Sequence, residues 1–228
     1  MNAIVTGASR GLGRALSRAL AGRGYGLVIG ARGSAALDEV AAELMARTKV
    51  VSVSGDLADE SHLQDLAEAA ETLGGAQILV NNASLLGPSP QPHLDAYPID
   101  VLERVFRVNV VAPLRLYQLT AGSLDRIINV TSDAASCAYE GWGGYGASKA
   151  ALEQLSNVLA AERPELRVYW VDPGDMNTQM QQEAFPGEDI SDRPLPEESV
   201  PGLLALIEGD LPSGRYEARS PAFIETGP

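Results

Sequence analysis

The amino-acid sequence predicts an α/β fold in which an open, mostly parallel sheet of about seven strands carries helices on both faces. Short β-rich runs alternate with longer helical patterns, which is typical of right-handed βαβ units. The strand runs are apolar with little alternation, as in Ile78-Leu79-Val80, and this suits strands covered by helices on both sides. No composition break divides the 228 residues, so we expect a single domain over residues 1–228.

Each element follows from a local pattern of this kind. The predicted strands are Asn2–Thr6, Tyr25–Ala31, Lys49–Val53, Gln77–Asn81, Asp125–Thr131, Leu166–Val171 and Ser213–Ala218. The predicted helices are Gly11–Arg23, Ala35–Ala46, Glu60–Leu73, Ile99–Thr120 and Gly144–Glu162. Two irregular stretches, Ser84–Pro98 and Gly174–Pro196, directly follow strands. Both therefore belong at the carboxyl edge of the sheet, where open α/β sheets bind ligands.

Composition and charge narrow the classes of function. The net charge of −13 disfavours nucleic acid and anionic membranes as partners. The sequence has no uncharged apolar run of about 18 residues, so we predict no membrane-spanning helix. We expect no signal peptide at the N-terminus. The single cysteine, Cys137, fits a reducing cytoplasm. His62 and His93 lack metal-ligand spacing, so we predict no metal site.

A glycine-rich turn joins the first predicted strand to the first helix. It reads Thr6-Gly7-Ala8-Ser9-Arg10-Gly11-Leu12-Gly13. Glycines let the backbone approach a pyrophosphate closely, and the helix N-terminus behind them offers free N–H groups and a positive dipole. A glycine turn without a ligand is the alternative. The position at the first strand-to-helix turn favours nucleotide binding.

The spacing Gly-x-x-x-Gly-x-Gly resembles the fingerprint of the short-chain dehydrogenase/reductase family, which has a Rossmann-type doubly wound sheet. The resemblance extends from Thr6 to about Thr178. Its further landmarks are Asp56-Leu57, Asn81-Asn82-Ala83-Ser84, Asn109, Ser132, Tyr145-x-x-x-Lys149 and Pro173-Gly174-x-x-x-Thr178. Ser84 stands where the family has a glycine. The resemblance implies an oxidoreductase that interconverts a small carbonyl compound and its alcohol, assembled as a homodimer or homotetramer.

The resemblance also implies the cofactor site. The implied binding residues are Gly7, Ser9, Arg10, Gly11, Leu12, Gly13, Arg32, Asp56, Leu57, Asn82, Ala83, Ser84, Tyr145, Lys149, Pro173, Gly174, Met176 and Thr178. The second strand ends at Gly30-Ala31-Arg32 without the acid that would bind a ribose 2′-hydroxyl. Arg10 and Arg32 could clamp a 2′-phosphate, so we predict NADP(H). The alternative is two solvated surface arginines.

The catalytic residues implied by the resemblance are Asn109, Ser132, Tyr145 and Lys149. Tyr145 and Lys149 are four residues apart and share one helix face, so we expect the ammonium group to lower the tyrosine pKa. In the family the serine holds the substrate carbonyl and the tyrosine transfers the proton. The lysine also binds the nicotinamide ribose, and the asparagine helps a water link it to solvent. Ser132 could instead cap a helix, and Asn109 could bridge backbone groups.

The substrate walls should come from the loops that follow the strands. We expect Leu85, Leu86, Tyr139, Trp142, Met176, Met180 and Phe185 there, within Ser84–Pro92, Ala134–Trp142 and Asp175–Phe185. This mostly apolar set carries little positive charge, which disfavours a polyphosphorylated substrate.

The stretch Gly174–Pro196 is a candidate substrate lid. Met176, Met180, Ala184 and Phe185 recur at near-helical spacing, which could give one short amphipathic helix. We expect a lid that is mobile when empty, with a rigid surface excursion as the alternative. Two other functions fit the same scaffold: an epimerase or dehydratase, and a non-catalytic NADP-sensing regulator.

Overall fold

The computed structural model describes residues 1–220, and these contain one parallel sheet. Its strands are β1 (Asn2–Thr6), β2 (Gly26–Ala31), β3 (Val50–Ser54), β4 (Ile78–Asn81), β5 (Arg126–Val130), β6 (Arg167–Asp172) and β7 (Gly214–Glu217). The spatial order is β3-β2-β1-β4-β5-β6-β7, and every neighbouring pair is parallel. The predicted seven-stranded, doubly wound fold is therefore confirmed.

The helices cover both faces of this sheet. They are α1 (Gly11–Gly22), α2 (Ser34–Met45), α3 (Glu60–Thr72), α4 (Ile99–Phe106), α5 (Ala112–Thr120), α6 (Gly143–Glu162), α7 (Gln179–Ala184) and α8 (Val200–Glu208). One apolar core joins α1, α2 and α8 to the sheet, and a second joins α3, α5 and part of α6 to its other face. Within residues 1–220, no helix is both long and apolar enough to cross a membrane.

The strand order reverses between β1 and β4, which lie side by side. At such a switch point the connections leave to opposite faces of the sheet, and a crevice opens at the carboxyl ends of the strands. The glycine-rich turn after β1 and the Asn82-Ala83-Ser84 segment after β4 meet there. The topology thus brings these two sequence landmarks together.

The helix predicted over Ile99–Thr120 is one helical run with a local irregularity. Helices α4 and α5 are joined by a π-helical turn at Arg107–Val111, and Asn109 lies in that turn. A π turn places one extra residue in the helix and often marks a functional site. The extra residue changes the direction in which the Asn109 side chain points away from the helix axis. Sequence periodicity alone does not reveal such a turn.

Helix α8 was not predicted from the sequence. It begins with Val200-Pro201-Gly202, which combines two poor helix formers. Proline is tolerated in the first helical turn. Gly202 lets the helix pack on the chain after β7, because a Cβ there would lie 1.9 Å from the Ala218 carbonyl oxygen. Tertiary packing therefore overrides local propensity at this helix.

Candidate active site

A cleft of about 840 Å³ lies at the carboxyl edge of the sheet. It contains most of the residues expected from the sequence to bind a cofactor. Those lining it are Gly7, Ser9, Arg10, Gly11, Leu12, Arg32, Asp56, Leu57, Asn82, Ala83, Ser84, Tyr145, Lys149, Pro173, Met176 and Thr178. Gly13, Asn109, Ser132 and Gly174 are not among the lining residues. One cleft therefore connects the glycine-rich turn with the Tyr-x-x-x-Lys pair.

The glycine-rich turn is fixed to the segment after β4. The Thr6 hydroxyl accepts hydrogen bonds from the backbone N–H groups of Asn82 (3.1 Å) and Ala83 (3.0 Å). Gly7 has a φ of 69°, a left-handed conformation that favours glycine. A Cβ at Gly13 would lie 2.3 Å from the Gly7 carbonyl oxygen. Because Gly13 has no side chain, the first turn of α1 can pack directly against the Gly7 backbone, which lines the cleft.

The end of the cleft beside the glycine-rich turn, called the nucleotide end, contains four arginines. Two of them are paired with a carboxylate of the described part of the chain and two are not. Arg14 and Arg18 both pair with Glu43, at 3.4 and 2.7 Å. Arg10 and Arg32 are exposed, and neither forms an ion pair with any carboxylate of residues 1–220. In a chain of net charge −13, two unpaired cations facing one cleft can attract an anion.

Helix α7 lies next to the glycine-rich turn. It is the short helix expected in Gly174–Pro196, and Thr178 caps it by accepting a hydrogen bond from Gln181 N at 3.2 Å. The Arg10 guanidinium donates a hydrogen bond to the Gln179 side chain. A contact between the segments is also visible at Gly11, where a Cβ would lie 3.5 Å from Thr178 Cγ2. The candidate lid therefore touches the nucleotide end of the cleft.

At the other end of the cleft, called the reacting end, α6 places Tyr145 and Lys149 side by side. Tyr145 is 7% exposed and Lys149 is 2% exposed. Lys149 Nζ lies 5.5 Å from the centre of the Tyr145 ring and donates a hydrogen bond of 2.7 Å to the Val130 carbonyl oxygen. This geometry holds the lysine next to the tyrosine ring and ties the lysine to the end of β5.

The expected lowering of the Tyr145 pKa is wrong for these side chains. Burial raises the pKa of Tyr145, and interactions with the hydroxyls of Ser84 and Ser132 only partly offset it. Burial also lowers the pKa of Lys149 to about 8, against an opposing effect of the Glu153 carboxylate. Both shifts favour the uncharged form, because a low-dielectric site penalises phenolate and ammonium alike. The tyrosine therefore keeps its proton at neutral pH.

Glycines on both sides of Tyr145 allow close packing around it. A Cβ at Gly144 would lie 2.3 Å from the Tyr97 ring, and one at Gly146 would lie 2.6 Å from the Ala134 carbonyl oxygen. Helix α6 thus begins with poor helix formers because neighbouring segments must approach its first turn. Tyr145 is positioned by these contacts as well as by helix geometry.

Ser84 and Asn109 connect the loop after β4 to α6. Asn109 Oδ1 accepts hydrogen bonds from Leu85 N (2.8 Å) and the Ser84 hydroxyl (3.2 Å). Its amide nitrogen donates to the Leu85 carbonyl oxygen and the Ser148 hydroxyl, both at 2.9 Å. These contacts match the bridging alternative for Asn109, and its role in a proton relay stays a prediction. The sequence did not indicate that Ser84 would lie beside both Asn109 and Tyr145.

Ser132 lies at the end of β5 and begins a short 3₁₀ turn. Its hydroxyl accepts a hydrogen bond from Ala134 N (3.2 Å) and donates one to Asp133 Oδ1 (2.9 Å). The capping alternative is therefore observed. Because the hydroxyl also interacts with Tyr145, a cap that fixes its position is compatible with a role at the reacting end.

The substrate wall is aromatic and apolar. The Trp142 ring packs 5.8 Å from the Tyr145 ring and 5.8 Å from the Phe185 ring, measured between centroids. Leu86 and Met180 join the same apolar cluster. The remaining expected wall residues lie at its margins: Tyr139 packs on Trp142, Leu85 and Met176 line the cleft, and Met176 also contacts the core on the α1 side of the sheet.

The parallel fold and the cleft define a doubly wound α/β protein with a nucleotide-type cleft at its switch point. Comparison with known proteins agrees: the family described as short chain dehydrogenase matches residues 1–189. The chain belongs to the short-chain dehydrogenase/reductase family of oxidoreductases.

Individual relatives extend over most of the chain. Sepiapterin reductase of Mus musculus is 35% identical over 197 residues, covering 78% of this chain and 76% of that protein. A short-chain dehydrogenase from Pseudomonas syringae superposes with a TM-score of 0.89 at 29% identity, over 95% of this chain and 94% of that one. An alcohol dehydrogenase from Thermococcus sibiricus, solved with 5-hydroxy-NADP, has a TM-score of 0.85 at 27% identity, with the same two coverages.

Proposed function

We propose that this protein is an NADP(H)-dependent oxidoreductase that interconverts a small carbonyl compound and the corresponding alcohol. The observation that carries the proposal is the single cleft with unpaired arginines at one end and the buried Tyr145–Lys149 pair at the other. A dinucleotide would place its phosphates and its reactive ring at such separate ends. Membership of an oxidoreductase family supports the same conclusion.

The choice of NADP(H) rests on charge at the nucleotide end. Arg10 and Arg32 form no ion pair within the described part of the chain, so they can bind a 2′-phosphate without breaking a salt bridge, although Arg10 would exchange its hydrogen bond to the Gln179 side chain. Guanidinium groups bind phosphate by charge-assisted hydrogen bonds. The Thermococcus sibiricus neighbour with its bound 5-hydroxy-NADP supports this choice.

At the reacting end, each side chain has a separate task. When bound, the nicotinamide supplies or accepts the hydride at the carbonyl carbon. Tyr145 keeps its proton before the reaction because its pKa is raised, and it donates that proton to the carbonyl oxygen once negative charge develops there and makes the oxygen strongly basic. Ser132 orients the same oxygen. Lys149 would hold the ribose hydroxyls and stabilise the phenolate that Tyr145 becomes.

The substrate is proposed to be small, largely apolar and not an anion. Trp142, Phe185 and Met180 form an apolar wall beside Tyr145. The nearby carboxylates of Asp133 and Asp172 raise the pKa of Tyr145, which means that negative charge is disfavoured there. A carbonyl compound with a carboxylate or phosphate near the reacting carbon would meet the same repulsion.

Consumption of NADPH tests the proposed activity directly. Purified protein should oxidise NADPH in the presence of some members of a panel of ketones, aldehydes, quinones and pterins, followed at 340 nm. Neutral substrates should react faster than carboxylated analogues of the same carbonyl. Binding of NADPH without turnover on any member would instead favour a regulator. Catalysis without net NADPH consumption would favour an epimerase or dehydratase.

We also propose assembly into a homodimer or homotetramer through α5 and α6. Val111, Leu114 and Val158 are apolar and 40%, 38% and 42% exposed, and symmetric oligomers bury such faces. Light scattering at micromolar concentration should give a dimer or tetramer mass. The variant Val158→Arg should shift it towards the monomer, whereas Met45→Arg, at an exposed position of α2, should not. A monomeric wild type would contradict the assembly.

A further inference from the structure

Arg215 on β7 joins three segments below the reacting end of the cleft. Its Nε lies 3.0 Å from Glu153 Oε1, and its Nη2 lies 3.6 Å from Asp172 Oδ2. Nη2 also donates a weak hydrogen bond of 3.5 Å to the Ser132 carbonyl oxygen. The side chains of Glu153 and Asp172 are only 17% and 11% exposed, so these are largely shielded ion pairs.

Each group that Arg215 contacts is next to a part of the reacting end. Glu153 lies one helical turn after Lys149 on α6, and it also accepts a 2.8 Å hydrogen bond from the Thr131 hydroxyl. Asp172 accepts a 2.8 Å hydrogen bond from Gly174 N, at the turn after β6. A planar guanidinium can hold several such acceptors in one fixed arrangement.

We propose that Arg215 is a positioning residue that fixes Ser132, the Lys149-bearing turn of α6 and the Gly174 turn relative to one another. Arg215 is not among the residues that line the cleft, so its effect is exerted through the groups it holds. Sequence motifs gave no sign of this role, because Arg215 lies more than 60 residues after Lys149.

Arg215 also balances the charge around the Tyr145–Lys149 pair. Glu153 on α6, Asp133 after β5 and Asp172 on β6 act on the pair, and Glu217 on β7 lies 4.0 Å from Arg215 Nη1 through its Oε1 atom. All four are acids. Without the guanidinium, Glu153 would stabilise the Lys149 ammonium more strongly and Asp172 would disfavour the Tyr145 phenolate more strongly. Removal of Arg215 should therefore raise both pKa values.

Lysine NMR can measure this effect without any assay of activity. The chain has only two lysines, Lys49 and Lys149, so protein labelled with ¹³C at lysine Cε gives two signals, assigned with Lys49→Arg. In wild type the Lys149 signal should titrate near pH 8. In Arg215→Met its midpoint should rise by about one pH unit. The control Arg167→Met removes a β6 arginine paired with Asp210 and should leave the midpoint unchanged.

Two further variants separate charge from geometry. Glu153→Gln keeps Arg215 but removes the acid, so the Lys149 midpoint should fall below that of wild type. This variant also tests the charge balance if Arg215→Met does not fold. Arg215→Lys retains the charge and should keep a midpoint near that of wild type, but the compact ammonium group does not reproduce the planar fork in which the guanidinium holds its partners. Its kcat should fall about tenfold with little change in KM.

The outcomes distinguish this inference from the proposed function. The kcat comparison rests on the proposed oxidoreductase activity, whereas the lysine titration does not. Absence of NADPH turnover by wild type would overturn the proposed function and leave the titration valid. A Lys149 midpoint in Arg215→Met equal to that of wild type would overturn the role of Arg215, and so would full kcat in Arg215→Lys.

Discussion

The two ends of the cleft differ in the burial and in the charge pairing of their functional side chains. At the reacting end, Tyr145 and Lys149 are almost fully buried, and burial favours the uncharged form of each. At the nucleotide end, Arg10 and Arg32 are exposed and unpaired among the described residues. The surrounding protein sets the pKa values of the buried groups, whereas the exposed cations keep their charge and attract an anionic ligand. Substitutions at the first end should alter chemistry and stability, and those at the second should alter affinity.

The largest effect is expected for Tyr145→Phe. Loss of the proposed proton donor should lower kcat by about 10²- to 10⁴-fold, while the dissociation constant of NADPH changes little. Steady-state kinetics and fluorescence titration of NADPH measure the two quantities. Tyr97→Phe is the matched control, because Tyr97 is buried next to Gly144 but its hydroxyl has no hydrogen-bond partner within residues 1–220. Near-normal kcat in Tyr145→Phe would assign the proton to another group.

The buried charge of Lys149 should have a measurable cost in stability. Its pKa is about 8 in the folded chain and about 10.4 when unfolded. This difference between the two pKa values corresponds to a loss of roughly 3 kcal/mol in the free energy of unfolding. Because the folded pKa of this base is lowered, the cost is fully present below pH 8 and disappears as the pH rises towards 10.4. Lys149→Met also loses the bond to the Val130 carbonyl oxygen, worth about 1 kcal/mol.

Lys149→Met should therefore be more stable than wild type by about 2 kcal/mol at pH 7, and the difference should shrink by pH 10. Urea denaturation at both pH values measures it. Lys49→Met is the control, since Lys49 is exposed and does not line the cleft. A difference between wild type and Lys149→Met that does not depend on pH would contradict the low folded pKa.

A smaller effect is expected from Arg32→Asp at the nucleotide end. Loss of charge-assisted hydrogen bonds to a 2′-phosphate costs about 1.5–3 kcal/mol, so NADPH affinity should fall roughly 10- to 100-fold. NADH affinity should hold or improve, because the new carboxylate can accept hydrogen bonds from a 2′-hydroxyl. Arg47→Asp changes the net charge equally at an exposed site outside the cleft and should leave the ratio of the two affinities unchanged. Tighter binding of NADH than NADPH by wild type would refute the proposed cofactor preference.

The two ends also differ in how well the sequence predicted them. At the nucleotide end, the glycine spacing and Arg32 lie in sequence beside the strands that position them, so both could be located from local patterns. At the reacting end, Tyr145 and Lys149 could be located, but their environment could not. The pKa of Tyr145 depends on burial and on Ser84, 61 positions earlier. Burial and distant contacts are properties of the fold, and a local motif does not contain them.

The fold shows the same contrast. Apolar strands and amphipathic helices have short-range periods, so all seven strands were predicted close to their observed bounds. The π turn around Asn109 and helix α8 were not predicted, and both coincide with tertiary contacts, of Asn109 with Ser148 and of Gly202 with Ala218. Sequence periodicity therefore predicts the framework that holds the site better than it predicts the irregularities that complete it.

The smallest effect concerns α7, which touches both ends of the cleft. Gln179 accepts a hydrogen bond from Arg10 at the nucleotide end, and Met180 packs in the cluster that contains Tyr145 and Trp142. The helix has only six residues, none of them buried, so few contacts oppose its opening. We therefore propose that Gly174–Pro196 is a lid whose closure depends on both ends together.

Hydrogen exchange can test this lid. Amides of Asp175–Asp192 should exchange rapidly in the protein alone, gain little protection with NADPH and gain about tenfold more with NADPH and a substrate analogue, because only the second ligand extends the apolar contact around Met180. Amides of β1 serve as the reference, since that strand is central and buried. Protection that is already high and equal in all three states would make the segment a rigid wall, and the two ends of the cleft would then act independently.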